Sequence, residues 1–366
     1  LPIRTSINYF YFFTFLMRRT KRALITGITG QDGAYLAKFL LKKNYEVFGT
    51  FRRLSTPNFW RLSYLDIEDK VKLIPADLID TPSLIESIKV SKPDEIYHLA
   101  AQSYVGTSFD QPLTSGEFSG LAVTRMLESI RLFDPSIKFY QASSSEIFGK
   151  VTTKSQNEQN SFIPQSPYAA AKLYGYWMTK IYRDGYNMFV ANGILFNHES
   201  PLRGLEFVTR KITNAAARIK LGLQKKLTLG YLDSYRDWGY APEYVEGMWK
   251  ILQQKKPDDF VLATNESHSV QEFVENTFSY LDLDWKKYVI TDKKFYRILE
   301  VNSLKGNSSK AQKKLSWKPK TKFKKLIQIM VEKDLERWKG WLNGERFPWD
   351  ANNYLGDDKT LFRKKN

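Results

Sequence analysis

Cysteine is absent from this chain of 366 residues, and histidine occurs only three times, at His98, His198 and His268. The absence of cysteine excludes a disulfide scaffold, a thiolate metal site and a cysteine nucleophile, and it fits a reducing compartment. Three dispersed histidines argue against a histidine-rich metal centre. We therefore predict a cytoplasmic protein that holds no metal.

Long hydrophobic runs are missing as well. The apolar run INYFYFFTFLM is well short of the roughly 20 residues that a membrane-spanning helix needs, and basic residues follow it instead of preceding it as in a signal peptide. We expect residues 1–20 to be a disordered N-terminal extension, with Met17 as the natural start, and residues 351–366 to be a basic tail. A membrane-surface anchor at residues 1–16 is the alternative to our prediction of no membrane partner.

The formal net charge is +17, from 56 Lys and Arg against 39 Asp and Glu, and such an excess invites a nucleic-acid partner. Much of the excess, however, lies in scattered pairs and in the C-terminal third, as in KKLSWKPKTKFKKL. Dispersed positive charge also steers small anionic ligands toward a site. We favour a phosphorylated small molecule and predict no nucleic-acid partner.

From residue 21 onward, short apolar runs alternate with segments of helical spacing. The runs RALITG, EVFGTF, VKLIPAD, EIYHLAA, KFYQASS and MFVANGILF are nearly continuous, as expected for strands buried on both faces. This alternation predicts an α/β fold with a parallel sheet. Beyond about residue 200 the pattern is irregular, with helical stretches predicted at 205–222, 241–254, 269–281 and 323–341.

A glycine-rich motif follows the first predicted strand. TGITGQDG places Gly27, Gly30 and Gly33 between a strand and a helix. One glycine allows the tight turn, one lets backbone amides approach a pyrophosphate, and one allows close helix packing. The motif predicts a dinucleotide site; a simple glycine-rich turn is the alternative.

The end of the second strand bears on the choice of dinucleotide. NAD enzymes of this kind usually carry an acid there for the ribose diol, but this chain has Arg52 and Arg53. A guanidinium would bind the 2′-phosphate of NADP through charge-assisted hydrogen bonds, so we predict NADP; two solvent-facing arginines are the alternative. Asp77 suits an adenine amino group, and the small Ala100 and Ala101 leave room for the nicotinamide ribose.

The strongest chemical signal is SPYAAAKLYG. Tyr168 and Lys172 lie four residues apart on a predicted helix and share one face, with Ser166 as the expected N-cap. An ammonium beside a phenol, next to a cationic nicotinamide, is expected to lower the tyrosine pKa and so to make a base for a hydroxyl group. Ser144, at the end of the preceding strand, completes a Ser/Tyr/Lys set.

These features together resemble the extended short-chain dehydrogenase/reductase superfamily. Within it, the carboxylate of Glu146, two residues after Ser144, suits a 4,6-dehydratase: once C4 of a sugar is oxidised, an acid can take the C5 proton while the C6 hydroxyl leaves. The chain is similar in particular to the GDP-mannose 4,6-dehydratase family over residues 21–345, in long blocks such as LAAQSYVGTSFDQP, FYQASSSEIFGKV and LGYLDSYRDWGYAPEYVEGMW.

The resemblance implies an architecture and a reaction. Residues 21–196 would form a Rossmann-type, doubly wound parallel sheet that binds NADP, with a return segment near 235–265. Residues 197–350 would form mainly a smaller mixed α/β lobe for the substrate, GDP-mannose. The reaction is an internal transfer of hydride from C4 to C6, the first step toward GDP-fucose or related 6-deoxyhexoses, in a homodimer or homotetramer.

The resemblance also assigns residues. The implied catalytic set is Ser144, Glu146, Tyr168 and Lys172. The implied cofactor contacts are Gly27, Gly30, Gln31, Asp32, Gly33, Arg52, Asp77, Leu78, Leu99, Ala100, Ala101, Gln102, Ser103, Lys172, His198 and Arg203. The implied substrate contacts are Ser103, Ser144, Glu146, Tyr168, Asn197, Lys211, Arg236 and Arg297.

Two alternatives remain. A GDP-sugar reductase or epimerase of the same superfamily would keep Tyr168 and Lys172 but has no task for Glu146. A non-enzymatic NADP-binding protein would fit the positive charge, but such relatives usually lack an intact Tyr/Lys pair. Departures from the family pattern at His98, Tyr104, Thr114 and Tyr240 bear more on substrate fit than on cofactor fit.

Overall fold

Seven parallel strands form the central sheet of a computed structural model that describes residues 19–56 and 58–349. The predicted extension at 1–20, apart from Arg19 and Thr20, and the predicted tail at 351–366 lie outside the described residues. The strands are β1 Arg22–Thr26, β2 Glu46–Phe51, β3 Lys72–Pro75, β4 Glu95–His98, β5 Lys138–Ser144, β6 Val190–Leu195, β7 Asn197–Glu199, β8 Leu227–Leu229, β9 Tyr235–Arg236, β10 Trp238–Tyr240, β11 Phe260–Leu262, β12 His268–Ser269 and β13 Val289–Thr291.

Helices connect the strands and cover the sheet. They are α1 Gln31–Lys42, α2 Trp60–Tyr64, α3 Thr81–Ser91, α4 Val105–Asp110, α5 Pro112–Gly116, α6 Ala122–Phe133, α7 Pro167–Tyr186, α8 Val208–Lys220, α9 Ala241–Leu252, α10 Val270–Tyr280, α11 Ser309–Leu315 and α12 Phe323–Leu342. Short 3₁₀ turns lie at 68–70, 145–148, 285–287 and 293–295, and a π-helical turn joins α5 to α6.

The strand order of the sheet is β3-β2-β1-β4-β5-β6-β11, and every neighbouring pair is parallel. Adjacent residues of a strand point to opposite faces, so Leu24 and Ile25 enter different hydrophobic cores. The core with Ile25 packs under α1 and α9, and the core with Leu24 packs under α3 and α6. The predicted doubly wound α/β fold is confirmed, and the apolar runs are continuous because both faces are buried.

The second half of the chain contributes both to the domain of the central sheet and to the smaller lobe. Within the predicted return segment, α9 packs on α1 and β11 extends the central sheet, whereas β9 pairs with β12 and β10 pairs with β7. A third core, with Ile212, Phe273 and Met330 among its members, joins α8, α10 and α12 into the lobe. Within the described ranges, no helix is long and apolar enough to cross a membrane.

Candidate active site

A cleft of about 310 Å³ opens between the carboxyl ends of the central strands and the lobe. In doubly wound sheets this edge is the usual place for ligands. The structure brings fourteen of the sequence-predicted site residues to its walls: Asp32, Leu99, Ala101, Ser103, Ser144, Glu146, Tyr168, Lys172, Asn197, His198, Arg203, Lys211, Arg236 and Arg297.

The glycine-rich turn between β1 and α1 leaves no room for side chains. Gly27 has a φ of +71°, and a Cβ there would lie 2.9 Å from the Cα of Ala100. A Cβ on Gly33 would lie 2.3 Å from the carbonyl oxygen of Gly27, and Gly30 donates its N–H to that oxygen at 3.0 Å. This cradle, followed by the N-terminus of α1, fits the pyrophosphate of a dinucleotide.

Arg52 lies outside the main cleft. It lines a second cavity of about 190 Å³ together with Thr29, Phe51 and Phe59, beside the glycine-rich turn. Asp77 and Leu78 follow the end of β3, at the same edge of the sheet. The Asp77 carboxylate accepts the N–H of Ile79, and the Leu78 side chain is buried.

Some residues of the segment 99–103 line the cleft, and others hold the loop in place. Leu99, Ala101 and Ser103 face the cleft, whereas the N–H of Ala100 binds the hydroxyl of Thr26 at 3.2 Å. The side-chain amide of Gln102 donates to the carbonyl of Tyr104 and thereby holds the loop itself. Gln31 has a similar supporting role, because its buried amide donates to the carbonyl of His198 and accepts from Ser200.

Ser144 ends β5, and a 3₁₀ turn follows it directly. Its Oγ accepts the N–H of Glu146 at 3.2 Å and interacts with the phenol of Tyr168. The Glu146 side chain is 10% exposed, and one of its oxygens lies 3.5 Å from Nη1 of Arg297. The hydroxyl and the carboxylate therefore lie within one turn of backbone, and α7 brings the phenol of Tyr168 against them in the cleft.

Helix α7 begins as the sequence predicts, with the Ser166 hydroxyl accepting the N–H of Ala169 at 3.1 Å. It places Tyr168 and Lys172 on its buried face, with Nζ of Lys172 5.9 Å from the centre of the Tyr168 ring. The same Nζ donates to the carbonyl of Ala142 at 2.8 Å.

The electrostatics of this pair differ from the expectation. Burial raises the pKa of Tyr168 to about 12, and the hydrogen bond from Ser144 opposes that rise only in part. Burial also lowers the pKa of Lys172 to about 8. The predicted lowering of the tyrosine pKa is therefore wrong for the protein's own groups, because desolvation outweighs the Ser144 hydrogen bond and the Arg203 charge.

Asp32 and His198 bind each other across the cleft. Nε2 of His198 lies 2.7 Å from the Asp32 carboxylate, and Nδ1 lies 2.7 Å from the carbonyl of Phe196. Since a carbonyl only accepts, and the carboxylate accepts when ionised, this geometry favours an imidazolium beside a carboxylate. The Asp32 charge raises the pKa of His198 against burial, and the His198 charge lowers the pKa of Asp32.

The lobe supplies cations to the opposite wall. Nζ of Lys211, on α8, lies 4.4 Å from the centre of the Phe295 ring. Arg236 is buried and donates to the carbonyls of Tyr235 and Val301, and burial lowers its pKa. Together with Arg297 these groups can neutralise an anionic ligand such as a diphosphate.

Comparison with known proteins identifies the family. The profile of GDP-mannose 4,6 dehydratase matches residues 24–330. GDP-mannose 4,6 dehydratase 1 of Arabidopsis thaliana is 50% identical over 331 residues, which cover 88% of this chain and 91% of that protein. The Homo sapiens GDP-mannose 4,6 dehydratase is 47% identical over 339 residues, which cover 86% and 91% of the two chains.

This chain belongs to the GDP-mannose 4,6-dehydratase family. The family is one of hydro-lyases in nucleotide-sugar metabolism, so the predictions of an enzyme and of its family are confirmed.

Solved structures agree on the fold. The dTDP-glucose 4,6-dehydratase of Bacillus anthracis, in complex with NAD, has a TM-score of 0.77 at 19% identity and covers 89% of this chain and all of its own. A Pseudomonas aeruginosa protein described as RMD, complexed with NADPH, has a TM-score of 0.71 at 20% identity, covering 87% and 100%. At such low identity these neighbours show the fold alone.

One further carboxylate lines the cleft without having been predicted from the sequence. Glu199 is 1% exposed, lines the cleft, and accepts from the hydroxyl of Thr209 at 2.6 Å. It also lies 3.2 Å from Nε of Arg203. It lies in the block NHESPLR, in which the sequence predictions name only Asn197, His198 and Arg203.

The departures from the family pattern lie in different places. Tyr104 lines the cleft and packs edge-on against Phe207, at 5.7 Å between ring centres, so it touches both walls. His98 is fully buried behind the sheet edge, and burial lowers its pKa to about 3, so it is neutral at physiological pH. No group of three or more His, Cys, Asp or Glu able to hold a metal occurs among the residues that the structure describes.

Proposed function

We propose that this chain converts GDP-mannose into GDP-4-keto-6-deoxymannose and water in the cytoplasm, with NADP as its cofactor, as the first step toward GDP-fucose or related 6-deoxyhexoses. The observation that carries the proposal is the position of Glu146, directly beside Ser144 and Tyr168 in one cleft. Relatives with about half of their residues identical are named GDP-mannose 4,6 dehydratases. The absence of cysteine supports a reducing compartment.

Tyr168 acts as the base for the C4 hydroxyl. When held by the glycine-rich turn and Lys172, NADP would supply a nicotinamide able to accept a hydride from C4 and to donate it to C6. Because burial raises the pKa of Tyr168 to about 12, the protein alone holds the phenol protonated at neutral pH. Lys172 keeps an ammonium 5.9 Å from the ring centre, and its positive charge favours the phenolate.

Glu146 takes the proton of C5. Oxidation at C4 acidifies that proton, since the resulting carbanion is conjugated with the ketone, and a carboxylate at the cleft floor can then accept it. Glu146 then gives this proton to the C6 hydroxyl, which leaves as water with its oxygen bound by Ser144. Tyr168 afterwards releases the proton that it took from the C4 hydroxyl, and this release balances the proton that C5 regains when hydride reaches C6. The near contact with Arg297 holds the carboxylate toward the cleft.

Lys211, Arg236 and Arg297 bind the diphosphate of the substrate. All three line the lobe wall, and a diphosphate in a largely closed cleft needs cationic partners. NADP rather than NAD is favoured by Arg52, whose cavity adjoins the glycine-rich turn. A guanidinium at that place binds a 2′-phosphate, and an NAD enzyme would place an acid there.

We propose a homodimer as the basic assembly, with a homotetramer as the larger alternative. Exposed apolar side chains cover the outer face of α7 and its neighbours: Leu113, Leu121, Tyr174, Trp177 and Ile181. A patch of this kind on a soluble enzyme supports an interface between copies. Light scattering should give twice the chain mass or more, and Trp177→Glu should shift it toward the monomer.

The decisive experiment incubates the purified chain with GDP-mannose and follows the sugar nucleotide by mass spectrometry. Loss of one water, without accumulation of NADPH, is the expected result. A reductase or epimerase of the same superfamily would leave GDP-mannose at its original mass or change it without loss of water. No loss of water after NADP is supplied would contradict the proposal, and other hexoses linked to GDP, CDP or dTDP should then be tested.

A further inference from the structure

Arg61 joins two backbone turns that come from different parts of the molecule. The residue lies on α2, just after the segment that begins with Arg52. Its Nη1 donates to the carbonyl of Thr29 at 3.1 Å, and its Nε donates to the carbonyl of Leu202 at 2.9 Å. Thr29 belongs to the glycine-rich turn, and Leu202 belongs to the turn that carries Arg203.

The two bonds fix the orientation of two peptide groups. In a trans peptide the C=O and the following N–H point in opposite directions, and neither of these peptides is cis. On the far side from Arg61, the N–H of Gly30 donates to Gly27 at 3.0 Å, and the N–H of Arg203 donates to Ser200 at 3.1 Å. Each turn is therefore held by Arg61 on one side and by a backbone hydrogen bond on the other. Arg61 is the partner that the two turns have in common.

The side chain is held firmly in this place. Its guanidinium carbon lies 4.4 Å from the centre of the Trp60 ring, and the residue is half-buried. Burial lowers the pKa of Arg61 to about 10, with Arg210, Arg203 and Arg337 adding to the decrease, so the group stays charged at neutral pH. A charged donor to two carbonyls is the strong kind of hydrogen bond.

Both turns lead into residues that face the dinucleotide site. The first turn ends at the N-terminus of α1, whose free N–H groups suit a pyrophosphate. The second turn sends Arg203 to the cleft wall and ties back to α1 through Ser200, whose hydroxyl donates to Gln31 at 2.7 Å. A change in either peptide would move a group that binds the nucleotide.

We propose that Arg61 is a positioning residue for the cofactor. It holds the Thr29–Gly30 and Leu202–Arg203 peptides in the orientation that binds the nucleotide. This inference rests on the proposed use of a nicotinamide dinucleotide. Arg61 itself stays on the outer side of both turns and does not contact the ligand. Its loss weakens nucleotide binding more than it slows the chemical steps.

The test compares Arg61→Ala, Arg61→Lys and a control, Arg218→Ala. Arg218 is likewise stacked on a tryptophan, 4.9 Å from the Trp338 ring centre, but lies on α8 in the lobe. Nucleotide released from each purified protein is quantified, and the Kd for NADP is measured by calorimetry after stripping. The unfolding temperature without nucleotide and kcat at saturating NADP are measured alongside.

We expect Arg61→Ala to lose its co-purified nucleotide and to raise the Kd for NADP by about tenfold, because the two peptides lose their fixed orientation and part of the energy of the two charged hydrogen bonds is lost from binding. Arg61→Lys, with one ammonium in place of two separate donors, should give an intermediate rise. In both, kcat at saturating NADP should stay within about threefold, and Arg218→Ala should bind NADP as the unaltered chain does.

Equal Kd values for the unaltered chain and Arg61→Ala would overturn the inference while leaving the proposed function intact. So would a fall in unfolding temperature with no change in Kd, since that outcome marks a purely structural residue. Where Arg61→Ala does not fold, Arg61→Lys decides by the same comparison. Failure of the unaltered chain to bind any nicotinamide dinucleotide would instead contradict the proposed function.

Discussion

The two walls of the cleft are built in different ways. The nucleotide wall consists of strand ends, a helix N-terminus and the start of α7, and its groups are backbone N–H, small side chains and hydroxyls, together with Glu146 and Lys172. The lobe wall consists of charged side chains on α8, on strands of two or three residues and on loops. The difference separates two tasks: proton transfer needs a rigid frame, whereas a diphosphate needs charge more than exact backbone geometry.

Replacement of Glu146 gives the largest expected effect on the nucleotide wall. Glu146→Gln keeps the shape but removes the base for C5, and we expect dehydration to fall by about a thousandfold, within the range for general bases. Since Tyr168 still takes the C4 proton, NADPH should accumulate on the variant. Turnover is measured by mass spectrometry and NADPH by its near-ultraviolet absorbance.

The matched control for that variant is Glu275→Gln, on α10 of the lobe, where the carboxylate binds only a neighbouring Gln271 among its described hydrogen bonds. It should keep full activity. Dehydration by Glu146→Gln at the normal rate would assign the C5 proton to another group, with Glu199 the next carboxylate to test.

The same contrast explains what the sequence could predict. Strands β1, β2, β5 and β6 give continuous apolar runs because helices bury both faces, and their predicted limits differ from the structure by two residues at most. Strands such as β8 and β13 have three residues each, which is too few to show any period, so no pattern in the sequence predicts them.

The site divides in the same way. Gly27, Ser144 and Tyr168 come from local motifs, so spacing alone pointed to them. Arg236 and Arg297 came only from the resemblance, since no local pattern marks a substrate cation. The ion pair of Asp32 and His198 joins residues that are 166 positions apart, and the contacts of Arg61 to Thr29 and Leu202 depend on where loops fold. Such long-range pairs leave no periodic trace in one sequence.

Arg52 tests the nucleotide wall through cofactor choice. We expect Arg52→Ala to raise the Kd for NADP by about 30-fold and to leave the Kd for NAD within about twofold, because only the 2′-phosphate loses its charged partner. Calorimetry with each dinucleotide checks this. Arg53→Ala is the control, since Arg53 is exposed and does not line the cavity beside the turn. A larger effect at Arg53 than at Arg52 would reverse the assignment.

Lys211 tests the lobe wall with a smaller effect. We expect Lys211→Gln to raise KM for GDP-mannose by about tenfold, as one half-buried charged contact is lost, with kcat within about threefold and NADP binding unchanged. Steady-state kinetics on stripped and reloaded enzyme provide the measurement. Lys220→Gln, at the other end of α8, should behave as the unaltered chain. A fall in kcat with constant KM would place Lys211 in the chemistry instead of in substrate binding.

The last prediction concerns stability instead of activity: a pH dependence of unfolding that comes from Lys172 on the nucleotide wall. Burial lowers the pKa of Lys172 to about 8 from a usual 10.5, so between these pH values the unfolded chain binds a proton that the folded chain lacks. Unfolding free energy should therefore rise with pH across that window, and the cost of the buried charge, about 3 kcal/mol, should apply fully below it. In Lys172→Met this pH-dependent contribution is absent, while the loss of the hydrogen bond to Ala142 lowers the unfolding free energy by a similar amount at both pH values. Urea unfolding of both proteins near pH 7 and about pH 10 measures the difference in slope, and parallel curves would mean that the ammonium is not desolvated in the folded enzyme.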